Sequence, residues 1–147
     1  MLKKALVEIF ERDLNQLKDE INLYGDEGEL WTVRNETNNS AGNLCLHLIG
    51  NLNHFVGTML GETGYARDRD SEFSAKNVSR QDLINGIEKT IDVVKNTLNR
   101  LPDENFDMNF PVEKHGETVK TDFMLLHLLT HFNYHLGQTN YHRRLIS

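Results

Sequence analysis

The sequence predicts an all-α protein, a four-helix bundle with long connecting loops. Apolar residues recur at spacings of three and four along four segments, which is the periodicity of a helix with one buried face. Only two prolines occur, and both lie between the third and fourth segments, so long stretches are free to be helical. The length of 147 residues predicts one domain, residues 1–147. Long links permit crossovers, so the order of the helices stays open.

The first predicted helix runs from Leu2 to about Tyr24, with acids and lysines on the face opposite the apolar residues. The connection that follows, Glu29–Asn39, contains a small apolar group that predicts a short extended piece. We expect Trp31, the single tryptophan of the chain, to anchor this connection on the hydrophobic core.

The second predicted helix starts after Ser40, a favoured N-cap residue, and runs to about Leu60. From Asn43 to Gly61 the chain contains no acid, lysine or arginine, so most of this helix must be buried. Its polar residues nevertheless fall on one narrow face at helical spacing. They are His47, Asn51, His54 and Thr58.

Two long connections separate the remaining helices. The first, Gly61–Val78, is polar, and loops longer than roughly 12 residues are often functional. We expect Tyr65 and Phe73 to anchor it. The second, Asp103–Lys120, is expected to contain a small hairpin that turns at His115–Gly116.

The third predicted helix lies between these connections. Ser79 caps it, with Asp82 completing an acidic variant of the capping box, and it runs to about Leu101, where a proline follows. Thr121 is the predicted cap of the fourth helix, which continues almost to the last residue of the sequence.

The fourth helix carries a second polar seam beside an apolar face. His127, His131 and His135 follow one another at intervals of four, and Gln138 and His142 continue the same face. Imidazoles at positions i and i+4 can offer two nitrogens to one metal ion. The seam therefore makes this helix the main candidate for a metal site.

Two buried helices with histidine seams can face each other inside a bundle, where metal sites are commonly built. The predicted ligands are His47, His131 and His135, three neutral nitrogens that leave positions open for chemistry. Zn²⁺ suits imidazole, and Ni²⁺, Co²⁺ and Fe²⁺ are allowed by the same donors. The alternative is that the imidazoles are hydrogen-bonded residues of the core.

Several neighbours of this trio are candidates for orienting ligands or substrate from the pocket. Asn51, His127 and Gln138 lie on the two seams close to the predicted ligands. His54 lies two turns beyond His47, roughly 10 Å along the axis, so it is a pocket candidate and not a ligand of the same ion. We expect His142 at the mouth of the site and Cys45 in the core.

The composition argues against several classes of protein. A net charge of −6 is unfavourable for binding nucleic acid or an anionic membrane, and no apolar run reaches the roughly 20 residues of a membrane span. One cysteine excludes an internal disulfide and, with no export signal recognised, predicts the cytoplasm. The sequence also lacks the His-Glu-x-x-His pattern of zinc peptidases.

Two segments resemble the DinB/YfiT-like superfamily. One is Asn39-Ser-Ala-Gly-Asn-Leu-Cys-Leu-His-Leu-Ile-Gly-Asn-Leu-Asn-His, and the other is His131-x-x-x-His135-x-Gly137-Gln138. The resemblance covers nearly the whole chain, and the stretch from Tyr65 to Phe73 is similar to one branch of the superfamily. It implies a four-helix bundle, often dimeric, that binds a divalent metal. The ligands it implies are His47, His131 and His135.

Characterised members of that superfamily are thiol-dependent transferases or isomerases, and others are described as metal-dependent hydrolases. We therefore expect a metal-dependent transferase that activates a low-molecular-weight thiol, of the bacillithiol type, toward an electrophilic small molecule. The alternatives are a hydrolase that uses a metal-bound hydroxide and a non-catalytic metal-binding or interaction protein. Zinc or nickel is the expected metal, and a homodimer with a small-molecule substrate is the expected assembly. The loop from Tyr65 to Phe73 is expected to border the pocket mouth.

Overall fold

The computed structural model describes residues 1–34 and 36–146, which form five α-helices and, within those ranges, no β-strand. Four of the helices are long, and the remaining one has six residues. This architecture is compatible with the predicted four-helix bundle. The helices are α1 (Leu2–Leu23), α2 (Ala41–Leu52), α3 (Arg69–Ser74), α4 (Arg80–Arg100) and α5 (Thr121–Ile146).

One hydrophobic core joins the four long helices. α1 packs against both α4 and α5, and α2 packs against α4 and α5. The buried residues of α1 recur at spacings of three and four, as the sequence predicted, because those positions share one helix face. They include Leu6, Phe10, Leu14, Leu17 and Ile21. Each such side chain stabilises the fold by about 1.5–3 kcal/mol through removal of apolar surface from water.

The second predicted helix begins where the sequence predicted, but it is not a continuous α-helix to Leu60. The Ser40 hydroxyl accepts a hydrogen bond from the backbone N–H of Asn43 at 3.1 Å, as expected of an N-cap. The α-helix ends at Leu52, and a π-helical segment, Asn53–Thr58, follows. The Asn53 side chain donates to the Ile49 carbonyl at 2.8 Å, and the same carbonyl also accepts the backbone N–H of Asn53. The wider π turns change which later side chains face the bundle.

The first predicted loop contains a helix that the sequence analysis missed. α3 begins after Asp68, whose carboxylate accepts from the Ser71 N–H at 3.3 Å. The buried Asn43 amide of α2 donates to two carbonyls near the end of α3, Glu72 O at 3.0 Å and Ala75 O at 2.8 Å. These bonds satisfy carbonyls that a helix end leaves without partners and fix α3 on α2. Tyr65, one of the predicted anchors, is exposed.

The connection after α1 forms a 3₁₀ turn, Glu27–Trp31, where an extended piece had been predicted. The Asp26 carboxylate caps the turn by accepting from the Gly28 N–H at 2.8 Å. Trp31 does pack against the core, and its indole covers Gly42, where an added Cβ would lie 2.7 Å from the ring. The anchoring role was predicted, whereas the local geometry was not.

The predicted hairpin is present as a turn closed by two isolated antiparallel bridges, Asn109–Lys120 and Lys114–Glu117. His115 and Gly116 both have positive φ, 50° and 78°, which is the backbone of a type I′ turn. Thr121 is the first residue of α5, not its cap, and its hydroxyl donates to the Met108 carbonyl at 2.9 Å. Over the two described ranges, no helix has the length and hydropathy needed to cross a membrane.

Candidate metal centre

Three histidines from two helices converge at one point, and they are the trio that the spacing predicted. α2 supplies His47, and α5 supplies His131 and His135 from successive turns. One ring nitrogen of each lies within 4.8 Å of the other two, so the three residues could hold one metal ion. The Nε2 atoms of His47 and His131 are 3.1 Å apart. His47 is buried, whereas the two histidines of α5 are partly exposed.

A buried carboxylate orients His47. The Oε1 atom of Glu72, on α3, lies 3.1 Å from His47 Nδ1, and both side chains are about 5% exposed. A carboxylate accepts hydrogen bonds, so Nδ1 carries the proton and donates. The Nε2 atom of His47 is then unprotonated, and its lone pair faces the other two histidines. A carboxylate behind a ligating imidazole fixes its tautomer and raises its basicity.

Arg67 neutralises this carboxylate through two hydrogen bonds. Its Nε atom donates to Glu72 Oε2 at 2.8 Å, and its Nη2 atom donates to Oε1 at 2.9 Å. Gly50 leaves the space that the carboxylate occupies, because an added Cβ would lie 1.9 Å from Oε2. The interior therefore holds a complete network from arginine to carboxylate to imidazole, and a cation at the site would extend it.

Sequence reasoning missed Glu72, since nothing in the spacing of residues pairs a loop carboxylate with His47 25 positions earlier. One indirect signal existed. Gly50 stands three residues after His47 on a helix that must be buried, and glycine there permits close approach of another group.

Gln138 orients His135 in a similar way. Its Oε1 atom lies 2.7 Å from His135 Nδ1, so the imidazole donates and its Nε2 atom is left free. The two residues are three positions apart on α5, where side chains at i and i+3 meet. The sequence analysis proposed Gln138 as a residue that orients the ligands, and the structure places it in contact with one of them.

Two of the three histidines, His47 and His131, have lowered pKa values that favour the neutral form that binds metals. Burial, with the neighbouring His135 and His47, lowers the pKa of His131 to about 4. Burial also lowers the pKa of His47, although the hydrogen bond to Glu72 opposes that shift. The Nδ1 atom of His131 is buried without a hydrogen-bond partner among the described residues. Three imidazole nitrogens with hydrogen bonds behind two of them fit a divalent transition metal such as zinc or nickel.

A cavity of about 420 Å³ opens beside His47 and His131. Phe55, Met124 and Leu128 form its apolar lining. Its polar lining is mostly cationic or neutral and includes Asn51, Arg67, Arg69, Lys114, His115 and His127. A larger groove, of about 780 Å³, runs along α1 and α5 and contains none of the three converging histidines. The smaller cavity is the one placed for chemistry at the histidines.

Two of the four predicted pocket residues line this cavity. Asn51 and His127 line the cavity, as expected of residues on the two seams. His54 does not line it, because the π-helical segment brings Phe55 to that wall instead. Burial, together with Lys114 and His115, lowers the pKa of His127.

His142 is not at the mouth of the site, so that prediction was wrong. Its Nε2 atom donates to the Thr32 carbonyl at 2.8 Å, and its Nδ1 atom lies 2.7 Å from the Tyr24 hydroxyl. It thereby ties the last turns of α5 to the end of α1. Cys45 is completely buried, and burial raises the pKa of its thiol to about 12, as expected for an unreactive core residue.

Fold and site together define a protein whose secondary structure, over the described residues, is mostly helical and whose three converging histidines could hold a metal ion. The family model described as "Protein of unknown function (DUF1572)" matches residues 3–147, and the chain belongs to that family. No curated protein matches the sequence.

Proposed function

We propose that this chain is a DinB-like four-helix bundle and a metal-dependent transferase, which activates a low-molecular-weight thiol toward an electrophilic small molecule. His47, His131 and His135 are its proposed ligands for a divalent ion, zinc or nickel. The observation that carries the proposal is the convergence of three imidazoles at the edge of a cavity large enough for a small molecule.

A divalent ion held by three neutral ligands keeps its double charge, and it would lower the pKa of a bound thiol so that the sulfur is deprotonated at neutral pH. The protein's own residues supply orientation and shelter. Glu72 holds the His47 imidazole in one tautomer, and Gln138 does the same for His135. Phe55 and Met124 cover the cavity wall with apolar surface, which excludes water from the reacting groups.

The distribution of carboxylates supports a thiol over water as the nucleophile. An ion can lower the pKa of bound water to about 7 by itself, and hydrolases of this kind commonly add a carboxylate beside the ion as the general base that takes the proton. Glu72 is committed to Arg67 and His47, and Glu113 is the one carboxylate in the described lining of the cavity. A thiol has an ordinary pKa near 8.5, so it can lose its proton before attack and needs no such base.

The test is turnover of an electrophilic substrate, such as 1-chloro-2,4-dinitrobenzene, by the zinc- and nickel-loaded protein with and without a thiol. The proposal expects thiol-dependent conjugation that His131→Ala abolishes. His54→Ala is the matched control, since it removes a histidine that neither lines the cavity nor joins the trio. Turnover of esters or amides without any thiol would favour the hydrolase instead. Equal thiol-dependent rates in His131→Ala and the parent would contradict the proposal.

A further inference from the structure

We propose that the mouth of the cavity is a binding site for an anionic group of the substrate, formed by Arg69 and Lys114. The inference rests on the proposed function and narrows its substrate class to small molecules that carry a carboxylate or phosphate. α3 contributes Arg69, and the turn before α5 contributes Lys114, so the two cations come from different elements of the cavity rim.

Both cations lack an acidic partner. Neither Arg69 nor Lys114 forms an ion pair with any carboxylate in residues 1–34 and 36–146. Arg67, the third cation of the lining, is by contrast bound through two nitrogens to Glu72. An arginine and a lysine that line a cavity and form no ion pair with the described residues are available to an incoming anion.

Arg69 is also tied to the metal centre by packing. Its guanidinium carbon lies 6.0 Å from the centroid of the Phe73 ring. The Phe73 ring packs against His47, with the two centroids 4.9 Å apart. The cation–π attraction at this distance is weak for an exposed side chain, and it favours conformations in which the Arg69 guanidinium stays near the Phe73 ring.

The formal charges around the cavity sum to a positive value, which favours an anion. The lining contains three formal cations, Arg67, Arg69 and Lys114, and one carboxylate, Glu113. Glu72 offsets Arg67 from behind, which leaves one excess positive charge in a protein whose net charge is −6. Lys114 also contributes to the lowered pKa of His127, so its charge is felt within the cavity. Apolar walls strengthen such a field, and a bound divalent ion would add to it.

Asn51 supplies a second recognition point within the same cavity. Its side chain is 7% exposed, and its Oδ1 atom is buried with no hydrogen-bond partner among the described residues. A buried amide oxygen without a partner is costly unless a ligand satisfies it. A substrate that carries an N–H or O–H donor beside its anionic group would satisfy this oxygen, and the anion site formed by Arg69 and Lys114 does not itself require that donor.

Titration with succinate and with its uncharged analogue succinamide tests the proposal without a thiol. The readout is the dissociation constant of each for the zinc-loaded protein, followed through the NMR resonances of the His127 ring, which lines the cavity. We expect succinate to bind about 10-fold more tightly than succinamide, and the preference to weaken at high salt. The double variant Arg69→Gln, Lys114→Gln should lose about 10-fold in succinate affinity and keep its affinity for succinamide.

Lys89→Gln is the matched control, because it removes an exposed cation from α4, which contributes no residue to the cavity lining. It should bind both probes as the parent does. Inorganic phosphate that displaces succinate would extend the site to phosphate esters, and phosphate that does not displace it would restrict the site to carboxylates. Equal affinities for succinate and succinamide, or an unchanged succinate affinity in the double variant, would overturn the proposal.

The thiol mechanism is tested separately with the cobalt-loaded protein and 2-mercaptoethanol, an uncharged thiol that does not need the anion site. An absorption change on thiolate binding to cobalt supports the proposed function. Its absence would refute the thiol mechanism while leaving the succinate result to decide the anion site.

Discussion

Glu72 makes the three histidines a better metal site, because its carboxylate fixes the orientation of the His47 imidazole. Its carboxylate receives the His47 Nδ1–H and two N–H groups of Arg67, and it is about 5% exposed. A buried charge is tolerated only when it is paired, so the three side chains act as one unit.

Glu72→Gln should weaken zinc binding by about 10- to 100-fold, since the amide cannot raise the basicity of His47 as a carboxylate does. The variant should also lose about 3 kcal/mol of unfolding free energy, because Arg67 is left as a buried charge without its partner. Competition with a chromophoric chelator measures the affinity, and chemical denaturation measures the stability.

Glu113→Gln is the control for Glu72→Gln, because it removes a carboxylate of the cavity lining that makes no ion pair with the described residues. Glu113→Gln should change neither the zinc affinity nor the unfolding free energy appreciably. Equal zinc affinity in Glu72→Gln and the parent would show that the carboxylate does not support His47.

At the scale of elements, the site depends on how α3 lies against α2. Asn43 holds the end of α3 through two carbonyls, and Gly50 leaves room for the Glu72 carboxylate. The helix interface and the network behind His47 are therefore a single feature of the fold.

Gly50→Ala should displace Glu72 and cause the same loss of zinc affinity that we expect of Glu72→Gln, because the new Cβ would lie 1.9 Å from Oε2. Gly137→Ala on α5 is the matched change, since a Cβ there meets no atom within 4 Å. That variant should gain about 0.5–1 kcal/mol of unfolding free energy, as expected for alanine replacing glycine inside a helix. A Gly50→Ala protein with parental zinc affinity would contradict this description of the interface.

The sequence predicts the features that depend on local spacing, and it does not predict those that depend on contacts between distant residues. The Ser40 cap of α2 and the pair His131 and His135 of α5 each depend on spacing within a single helix, so the sequence reveals them. The π-helical segment begins at Asn53, whose side chain donates to Thr90 Oγ1 on α4, 37 residues away, and such a long-range contact cannot be read from the sequence. Glu72 likewise finds His47 only after α3 packs on α2, and no periodicity in the sequence records that contact.

At the scale of the whole molecule, α5 presents an exposed apolar stripe beside the histidine seam. Its members are Phe123, Leu126, Tyr134, Tyr141 and Leu145. Exposed apolar surface of this kind often marks a contact with another protein, and the homodimer expected from the sequence stays a prediction. The stripe is the surface through which we expect two copies to associate.

Leu126→Asp should shift the protein from dimer to monomer in sedimentation velocity, because a carboxylate in that contact would be desolvated without a partner. Leu23→Asp, which alters an exposed leucine at the end of α1, should leave the assembly unchanged. A parent protein that sediments as a monomer at micromolar concentration would refute the dimer.

Elemental analysis of the protein purified without a histidine tag shows whether His47, His131 and His135 bind one divalent ion. We expect close to one zinc or nickel per chain in the parent and in His54→Ala, and almost none in His131→Ala of unchanged helical content. A parent protein that takes up no metal even after incubation with zinc and nickel salts would refute the metal site and leave the histidines as packing residues.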